Sequence, residues 1–427
     1  MQGVNAFANG TGGNDLENGY CRFCGQELNH TLADLGLSPL ANEYLKEGDL
    51  ARGQMFYPLK VQVCSQCFLA QAELYQQPEE IFGEYQYFSS YSASWLAHCK
   101  AYVDKIVKRL ELTSASRVLE IACNDGYLLQ YFKPYGIPVK GVEPAENVAE
   151  EARAKGIEVE CCFFQKSTAE RIAAQDGRYD LVIGNNVLAH VPDINGFAAG
   201  LAAVLSPRGT ITMEFPHLLR LMEENQFDTI YHEHFYYLSL TSVQKILQAH
   251  GLEIYDVEEL TTHGGSLRIY ASHQGTQSVG EAVTGLLSQE HEAGLTDLNC
   301  YAGFSEKMLQ IKLETMELFS ALKREGKHIA AFGAAAKGNT FLNYCGIKGD
   351  VIDFVVDSNP HKQGYYLPGS LIPILSPEAL RQYKPDYIVI LPWNLTKEIM
   401  DAASFVKEWG GQFITCIPQV RILDGDA

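Results

Sequence analysis

Tyr231-His232-Glu233-His234 places a phenol, two imidazoles and a carboxylate side by side, in an aromatic run that continues through Phe235-Tyr236-Tyr237. That set suits removal of a proton from carbon, because a neutral imidazole beside a carboxylate is a natural general base near neutral pH. In extended backbone Tyr231 and Glu233 face one way and His232 and His234 the other; in a turn or helix start that alternation lapses, and the sequence allows both. A lone histidine among aromatics is more often a hydrogen-bonded core residue, but four polar groups together point to a site. A zinc-protease reading fails, since no histidine lies four residues after His232.

Cys21-Arg-Phe-Cys24 and Cys64-Ser-Gln-Cys67 offer a second chemistry. A Cys-x2-Cys pair supplies two zinc ligands from one tight turn, and two such pairs complete a tetrahedron. Gly25 helps the first turn. Four thiolates leave no open coordination position, so the expected zinc is structural.

A third pattern is Val118-Leu-Glu-Ile-Ala-Cys-Asn-Asp-Gly-Tyr-Leu-Leu129, an apolar strand that ends in a small-residue turn and enters a helix. Gly126 is expected to let the backbone approach a ligand. Glu143 ends the next strand, where a carboxylate can accept both hydroxyls of a ribose. Tyr179-Asp-Leu-Val-Ile-Gly-Asn-Asn-Val-Leu-Ala-His190 then delivers Asn185, Asn186 and His190 to the same sheet edge. This reads as the cofactor loop of an S-adenosylmethionine (SAM) methyltransferase. Glu120, Ala122, Asn124, Asp125, Gly126, Glu143, Pro144, Asn185 and Asn186 are the expected cofactor neighbours. The plainer alternative is an α/β domain with a vestigial loop.

The elements that carry these groups alternate in type. Strands are predicted at Arg117–Ala122, Val139–Glu143, Leu181–Asn185 and Gly209–Phe215 with helices between, which implies a parallel, doubly wound sheet. Two antiparallel strands, Leu252–Leu260 and Ser266–Ser272, are joined by Thr261-Thr-His-Gly-Gly265. A helical stretch over about 278–325 leads to a second alternation at His328–Phe332, Val351–Val356, Tyr387–Leu391 and Gln412–Ile417. The predicted fold is α/β throughout: a zinc-binding module over 20–80, a methyltransferase domain of Rossmann-like type over 81–275, a helical connector over 276–326, and a smaller Rossmann-like domain over 327–427. Residues 1–19 are Gly/Asn-rich, lack a basic-then-apolar signal segment and read as a flexible tail.

At 427 residues the chain is too long for one core. Its net charge of −19 disfavours nucleic acid as a partner, because affinity there rests on Lys and Arg against phosphates. A small anionic substrate needs only a few local cations and stays open. No apolar run approaches a membrane span, so no membrane partner and a cytoplasmic setting are expected. The seven cysteines outside the two pairs read as buried free thiols of a reducing compartment. A monomer is the default.

These residues together resemble the nucleotide-sugar C-methyltransferases of deoxysugar pathways, which act on C-3 of dTDP-4-keto-6-deoxysugars. The likeness rests on the Cys pairs, Leu119-Glu-Ile-Ala-Cys-Asn-Asp-Gly126, Asn186-Val-Leu-Ala-His-Val-Pro-Asp193, Tyr231-His-Glu-His234 and Phe332-Gly-Ala-Ala-Ala-Lys-Gly338. One departure is Ala122, where the family usually has glycine. The resemblance implies SAM as methyl donor and a nucleotide-sugar acceptor. The 4-keto group acidifies the C-3 proton, a base removes it, and the enolate carbon takes the methyl group. The family's base maps onto His234. Its supporting residues map onto His190, Tyr231, Glu233 and a tyrosine of Tyr85-Gln-Tyr-Phe-Ser-Ser-Tyr91, taken as Tyr85 with Tyr87 as a substrate contact. Glu233 is expected to fix the tautomer of His234.

In the last domain, Ile329-Ala-Ala-Phe-Gly-Ala-Ala-Ala-Lys-Gly-Asn-Thr340 is a strand, a glycine turn and a helix start, and Asp357 ends the next strand. An NAD site is one reading, weakened by the missing first Gly-x-Gly. The preferred reading puts a substrate diphosphate against this helix start with Lys337 and Asn339, and with Arg268 and Lys362 as further candidates. A fold that merely walls the cleft is the alternative. Two other functions compete: an O- or N-methyltransferase, which needs a base but no electron sink, and a non-catalytic zinc-module interaction protein.

Overall fold

The computed structural model describes residues 18–76 and 88–423. Tyr85, Tyr87 and nearly all of the predicted tail lie outside the described residues.

Three sheets organise the chain. The first is antiparallel, with β1 (His30–Ser38), β2 (Tyr57–Val63) and β3 (Ala70–Ala72) joined at the edge by β9 (Tyr236–Tyr237). Its fourth strand therefore comes from the aromatic run of the acid–base cluster, with Ala70 opposite Tyr237 and Gln71 opposite Tyr236.

The second sheet contains β4 (Val118–Ile121), β5 (Val139–Val142), β6 (Glu158–Glu160), β7 (Tyr179–Asn185), β8 (Leu205–Pro216), β10 (Leu252–Leu260) and β11 (Ser266–His273), in the order β10-β11-β8-β7-β4-β5-β6. β4 to β8 run parallel, and β10 and β11 close the edge antiparallel. Leu181, Val182 and Ile183 are fully buried on both faces of β7, as a central parallel strand requires. The strand order reverses between β4 and β7. Their carboxyl ends open the crevice where ligands of such sheets bind.

The third sheet has the order β14-β13-β12-β15-β16-β17, from β12 (Ile329–Phe332), β13 (Val355–Val356), β14 (Ile374–Leu375), β15 (Tyr387–Ile390), β16 (Gln412–Thr415) and β17 (Arg421–Leu423). β13 is shorter than the expected Val351–Val356. The N–H groups of Val351 and Ile352 are both turned onto the Lys348 carbonyl, which ends the preceding loop rather than starting a ladder. The helical stretch also divides, into Glu281–Glu292, Leu298–Ala302 and Phe304–Arg324. Gly294, left-handed at φ +89°, caps the first piece.

The layers share cores. Leu32 and Val61 of the first sheet, Phe304 and Phe319 of the long helix, and Phe341 and Val389 of the last α/β unit belong to one apolar cluster. Cys21, Cys64 and Cys67 belong to another, together with Leu119, Val182 and Phe215 of the central sheet. No helix of the described residues is long and apolar enough to cross a membrane.

Candidate active site and metal centre

The two cysteine pairs form matching knuckles. The Cys21 carbonyl accepts from Gly25 N at 2.8 Å and the Cys64 carbonyl from Phe68 N at 3.0 Å. The residue after each pair is left-handed, Gly25 at φ +73° and Phe68 at φ +62°. The four sulfurs lie within 4.8 Å of one another, with Cys21–Cys67 at 3.6 Å and Cys24–Cys64 at 3.4 Å. Tetrahedral zinc with Zn–S of about 2.3 Å needs sulfurs about 3.8 Å apart, so this donor set fits zinc and is closed.

At the crevice, the cofactor loop bends sharply. Ala122, Asn124 and Asn186 all take left-handed φ, at +56°, +49° and +52°. A Cβ-bearing residue is strained there, and Ala122 occupies a position where glycine would not be. Gly126 is also left-handed, but a Cβ on it would meet Ile157 Cδ1 at 2.4 Å. Packing against Ile157 and Ala152 therefore by itself requires a glycine here.

Glu143 accepts from Asn124 N at 2.9 Å through one oxygen and from Ala145 N at 3.0 Å through the other, and burial pushes its carboxyl up to about 7. Each oxygen keeps a lone pair, so a ribose diol still fits. Glu120 is fully buried, and burial raises its carboxyl well above the usual range. Pro144 is half-buried, and its carbonyl takes the Cys161 thiol at 3.4 Å. Buried atoms without a protein hydrogen-bond partner lie here: Asp125 Oδ1, Asn185 Nδ2 and Asn186 Oδ1. Orphaned donors and acceptors at a sheet switch point fit a polar ligand such as SAM.

The acid–base cluster is a turn, closed by His234 N on the Tyr231 carbonyl at 2.9 Å. The turn brings the Tyr231 ring over His234, with centroids 4.0 Å apart, and sends His232 the other way, its Nε2 onto the Pro58 carbonyl at 3.1 Å. His190 packs edge-on against His234 with centroids 4.7 Å apart. The partner that fixes His234 is not Glu233. His234 Nδ1–H donates to the Thr229 carbonyl at 3.0 Å, and His190 Nδ1–H donates to the Glu233 carbonyl at 2.7 Å. The Glu233 side chain turns away and accepts from Asn42 Nδ2 at 2.6 Å. Its burial pushes the carboxyl up to about 7. Burial lowers both histidines, His190 to about 4 and His234 well below its ordinary value, so both imidazoles are neutral near pH 7. His234 Nε2 is then the unprotonated nitrogen.

The expected substrate cations separate. Lys337 is half-buried, donates to Asn394 Oδ1 at 2.8 Å, and sits 4.6 Å over the Trp393 ring. Its field, with those of His190 and His263, helps depress His234. Lys362 donates to the Ala334 carbonyl at 2.7 Å and lies over Tyr44. Asn339 is buried and its amide N–H is committed to the Ala41 carbonyl at 2.6 Å, while its Oδ1 has no partner. Arg268 is no substrate cation. It is 4% exposed, pairs with the buried carboxylate of Glu214 directly across the sheet, and stacks on Tyr102.

Two residues near the site, His263 and Asp228, escaped the sequence reading. His263 is left-handed at φ +54°, contacts Asn186 Nδ2 at 3.2 Å and packs on Trp95. Its place inside a hairpin connector concealed it, although a histidine before Gly-Gly was a usable signal. Asp228 accepts from Trp393 Nε1 at 2.8 Å, and burial pushes its carboxyl up to about 6.

Comparison with known proteins agrees with this layout along the chain. A family described as a zinc binding domain matches residues 21–82, one described as a methyltransferase domain matches 95–257, and the C-methyltransferase C-terminal domain matches 261–418. C-methyltransferase NovU of Streptomyces niveus is 36% identical over 408 residues, covering 95% of this chain and 97% of that protein. The ubiquinone biosynthesis O-methyltransferase of Bordetella avium (strain 197N) is 33% identical over 97 residues only, 22% of this chain and 40% of that protein. Among solved structures, magnesium protoporphyrin IX methyltransferase from Synechocystis PCC 6803 with bound SAH covers 42% of this chain and 83% of its own, at TM-score 0.34 and 18% identity, too distant to bear on function. The chain belongs to the C-methyltransferase family, and it is a SAM-dependent C-methyltransferase with an N-terminal zinc-binding module.

Proposed function

We propose that the acceptor is a nucleotide-linked 4-keto-6-deoxysugar, methylated at C-3, and that His234 removes the C-3 proton. The observation that carries this reading is the tautomer of His234. Its Nδ1–H is spent on the Thr229 carbonyl, so the basic Nε2 is the nitrogen left for a carbon acid. Burial keeps the ring neutral and therefore ready at ordinary pH.

The remaining groups have assignable tasks. Tyr231, stacked on His234, holds the plane of the base. His190, tied to the turn through the Glu233 carbonyl, packs the other side of the imidazole. The Tyr231 hydroxyl is the donor for the oxygen on which enolate charge develops. Glu143, Asp125, Asn185 and Asn186 hold SAM, which supplies an electrophilic methyl group when bound. Lys337 provides positive charge on the acceptor side, against the diphosphate. The zinc is structural, and the cytoplasm and a monomer remain the working setting. The divisions at 20–80, 81–275, 276–326 and 327–427 remain the working domain boundaries.

The test is incubation with SAM and a dTDP-4-keto-6-deoxyglucose-type sugar in deuterated water, read by mass spectrometry and NMR. One added methyl on C-3 is expected. Methylation on oxygen or nitrogen, or no transfer by a protein that still binds SAM, would reject the acceptor assignment.

A further inference from the structure

Arg22 lies between the first two zinc ligands and has no task in metal binding. Its guanidinium nevertheless reaches across to the acid–base turn. Arg22 Nη2 donates to the Phe235 carbonyl at 2.8 Å, Nη1 to the Ala72 carbonyl at 2.9 Å, and Nε to the Tyr236 hydroxyl at 3.1 Å. The same group lies 4.8 Å over the Tyr236 ring. Phe235 directly follows His234, and its carbonyl also accepts from Ala72 N at 3.0 Å.

From there two short paths reach the paired histidines. Phe235 N donates to the Ala189 carbonyl at 2.7 Å, one residue before His190. The Tyr236 hydroxyl donates to the Pro192 carbonyl at 2.8 Å, two residues after it. The knuckle itself is pinned from behind, because Asn195 Nδ2 holds the carbonyls of Arg22 and Phe23 at 3.1 and 3.0 Å, and Arg22 N donates to Gln71 Oε1 at 3.1 Å. An arginine fork fixed at its backbone constrains both position and angle of the carbonyls it grips, which a single lysine ammonium does not.

We infer that Arg22 is a positioning residue: seated in the zinc knuckle, it holds the Phe235–Tyr236 segment so that His234 and His190 keep their 4.7 Å contact and their Nδ1–H tautomers. The zinc site then serves the chemistry by rigidity. The inference extends the proposed role of His234, but its first readout needs no substrate.

The experiment uses the full-length, zinc-loaded protein, labelled with ¹⁵N-histidine, with His190→Asn and His234→Asn spectra to assign the two rings. In the parent protein both rings should show a single Nδ1–H tautomer. Arg22→Met should keep its zinc and its SAM affinity, while both rings become tautomer mixtures. Methyl transfer to the keto-sugar should then fall about 100-fold in kcat, the loss expected of a misplacement near 1 Å, with the KM for SAM unchanged. Arg22→Lys should recover less than half of the tautomer purity, since it cannot span three acceptors. Unchanged imidazole spectra in a folded, zinc-loaded Arg22→Met protein would overturn the inference. If Arg22→Met loses zinc or unfolds, Tyr236→Phe decides, because it cuts the Arg22 Nε contact and the link to Pro192 while leaving the two carbonyl contacts of the guanidinium: a shifted His190 signal supports the inference, and identical signals reject it. Unchanged spectra with an inactive keto-sugar would refute both readings separately, whereas altered spectra with an inactive sugar would fault only the acceptor.

Discussion

The chain builds the same small device twice and leaves only one of them open. In the central sheet, Glu143 at the end of β5 accepts the N–H groups of Asn124 and Ala145. In the last sheet, Asp357 after β13 accepts those of Ala334 and Asn359, at 2.7 and 2.8 Å. Both carboxylates brace a loop that leaves the first strand of a parallel sheet. The surroundings differ. Around Glu143, Asp125 Oδ1, Asn185 Nδ2 and Asn186 Oδ1 lack protein partners. Over the second loop, the Tyr44 hydroxyl and Lys362 Nζ both close on the Ala334 carbonyl, at 2.6 and 2.7 Å. A Cβ on Gly333 would meet Pro392 Cδ at 2.4 Å, so the backbone there is packed against protein. An NAD site does not suit a loop so covered. The lesson is that a glycine turn with an acid on the next strand specifies a braced loop, and the unpartnered polar atoms around it decide whether a ligand belongs there.

The largest effect should come from the module that carries Tyr44. Cys64→Ser removes one of four zinc ligands, and we expect loss of metal and roughly 4 kcal/mol or more of stability. Metal analysis and a melting curve check this; unchanged metal content and melting temperature would break the zinc assignment. Next, Glu143→Gln should weaken SAM binding about 10- to 100-fold, the worth of hydrogen bonds to a charged acceptor. Asp357→Asn should leave SAM affinity untouched in the same titration. Equal losses in the two variants would erase the distinction drawn between the loops.

A pH series sharpens it further. Burial holds Glu143 up at about 7 without ligand, and ribose hydroxyls need the ionised form as acceptor. Binding must therefore expel a proton at low pH. The Kd for SAM should weaken by up to about tenfold per unit as pH falls below 7 and level off above it. Calorimetry on the parent protein and on Glu143→Gln checks this, with a flat profile expected in the variant. The smallest effect belongs to Ala122, left-handed at φ +56°. Relief of that strain exceeds the added freedom of a glycine in the unfolded chain, so Ala122→Gly should raise stability by about 0.5 kcal/mol in denaturant melts.

What could be read from the sequence was local. The Cys-x2-Cys pairs, the strand entering the Ala122 loop and the acid at Glu143 are contiguous patterns whose geometry follows from a few residues. The misreadings came from partners that only the folded backbone brings together. Arg268 looked like a free cation because Glu214, its neighbour across β8 and β11, lies 54 residues away. Glu233 looked like the partner of His234 because it is adjacent, whereas the turn hands that role to the Thr229 carbonyl. No periodicity announced that Tyr236–Tyr237 would complete the zinc module's sheet, since a two-residue strand is decided by what it pairs with. Asn186, His190 and His234 could be singled out as candidates because each stands near the carboxyl end of a buried strand or inside a dense polar cluster.

The central claim is that His234 is the base that makes a carbon nucleophile. It is tested most directly by the rate at which the C-3 proton of the keto-sugar exchanges with deuterated water, with S-adenosylhomocysteine present so that no methyl can transfer. The parent protein should catalyse exchange, and His234→Asn should slow it about 100-fold or more while binding S-adenosylhomocysteine as tightly as before. Exchange at equal rates in the two proteins would contradict the account.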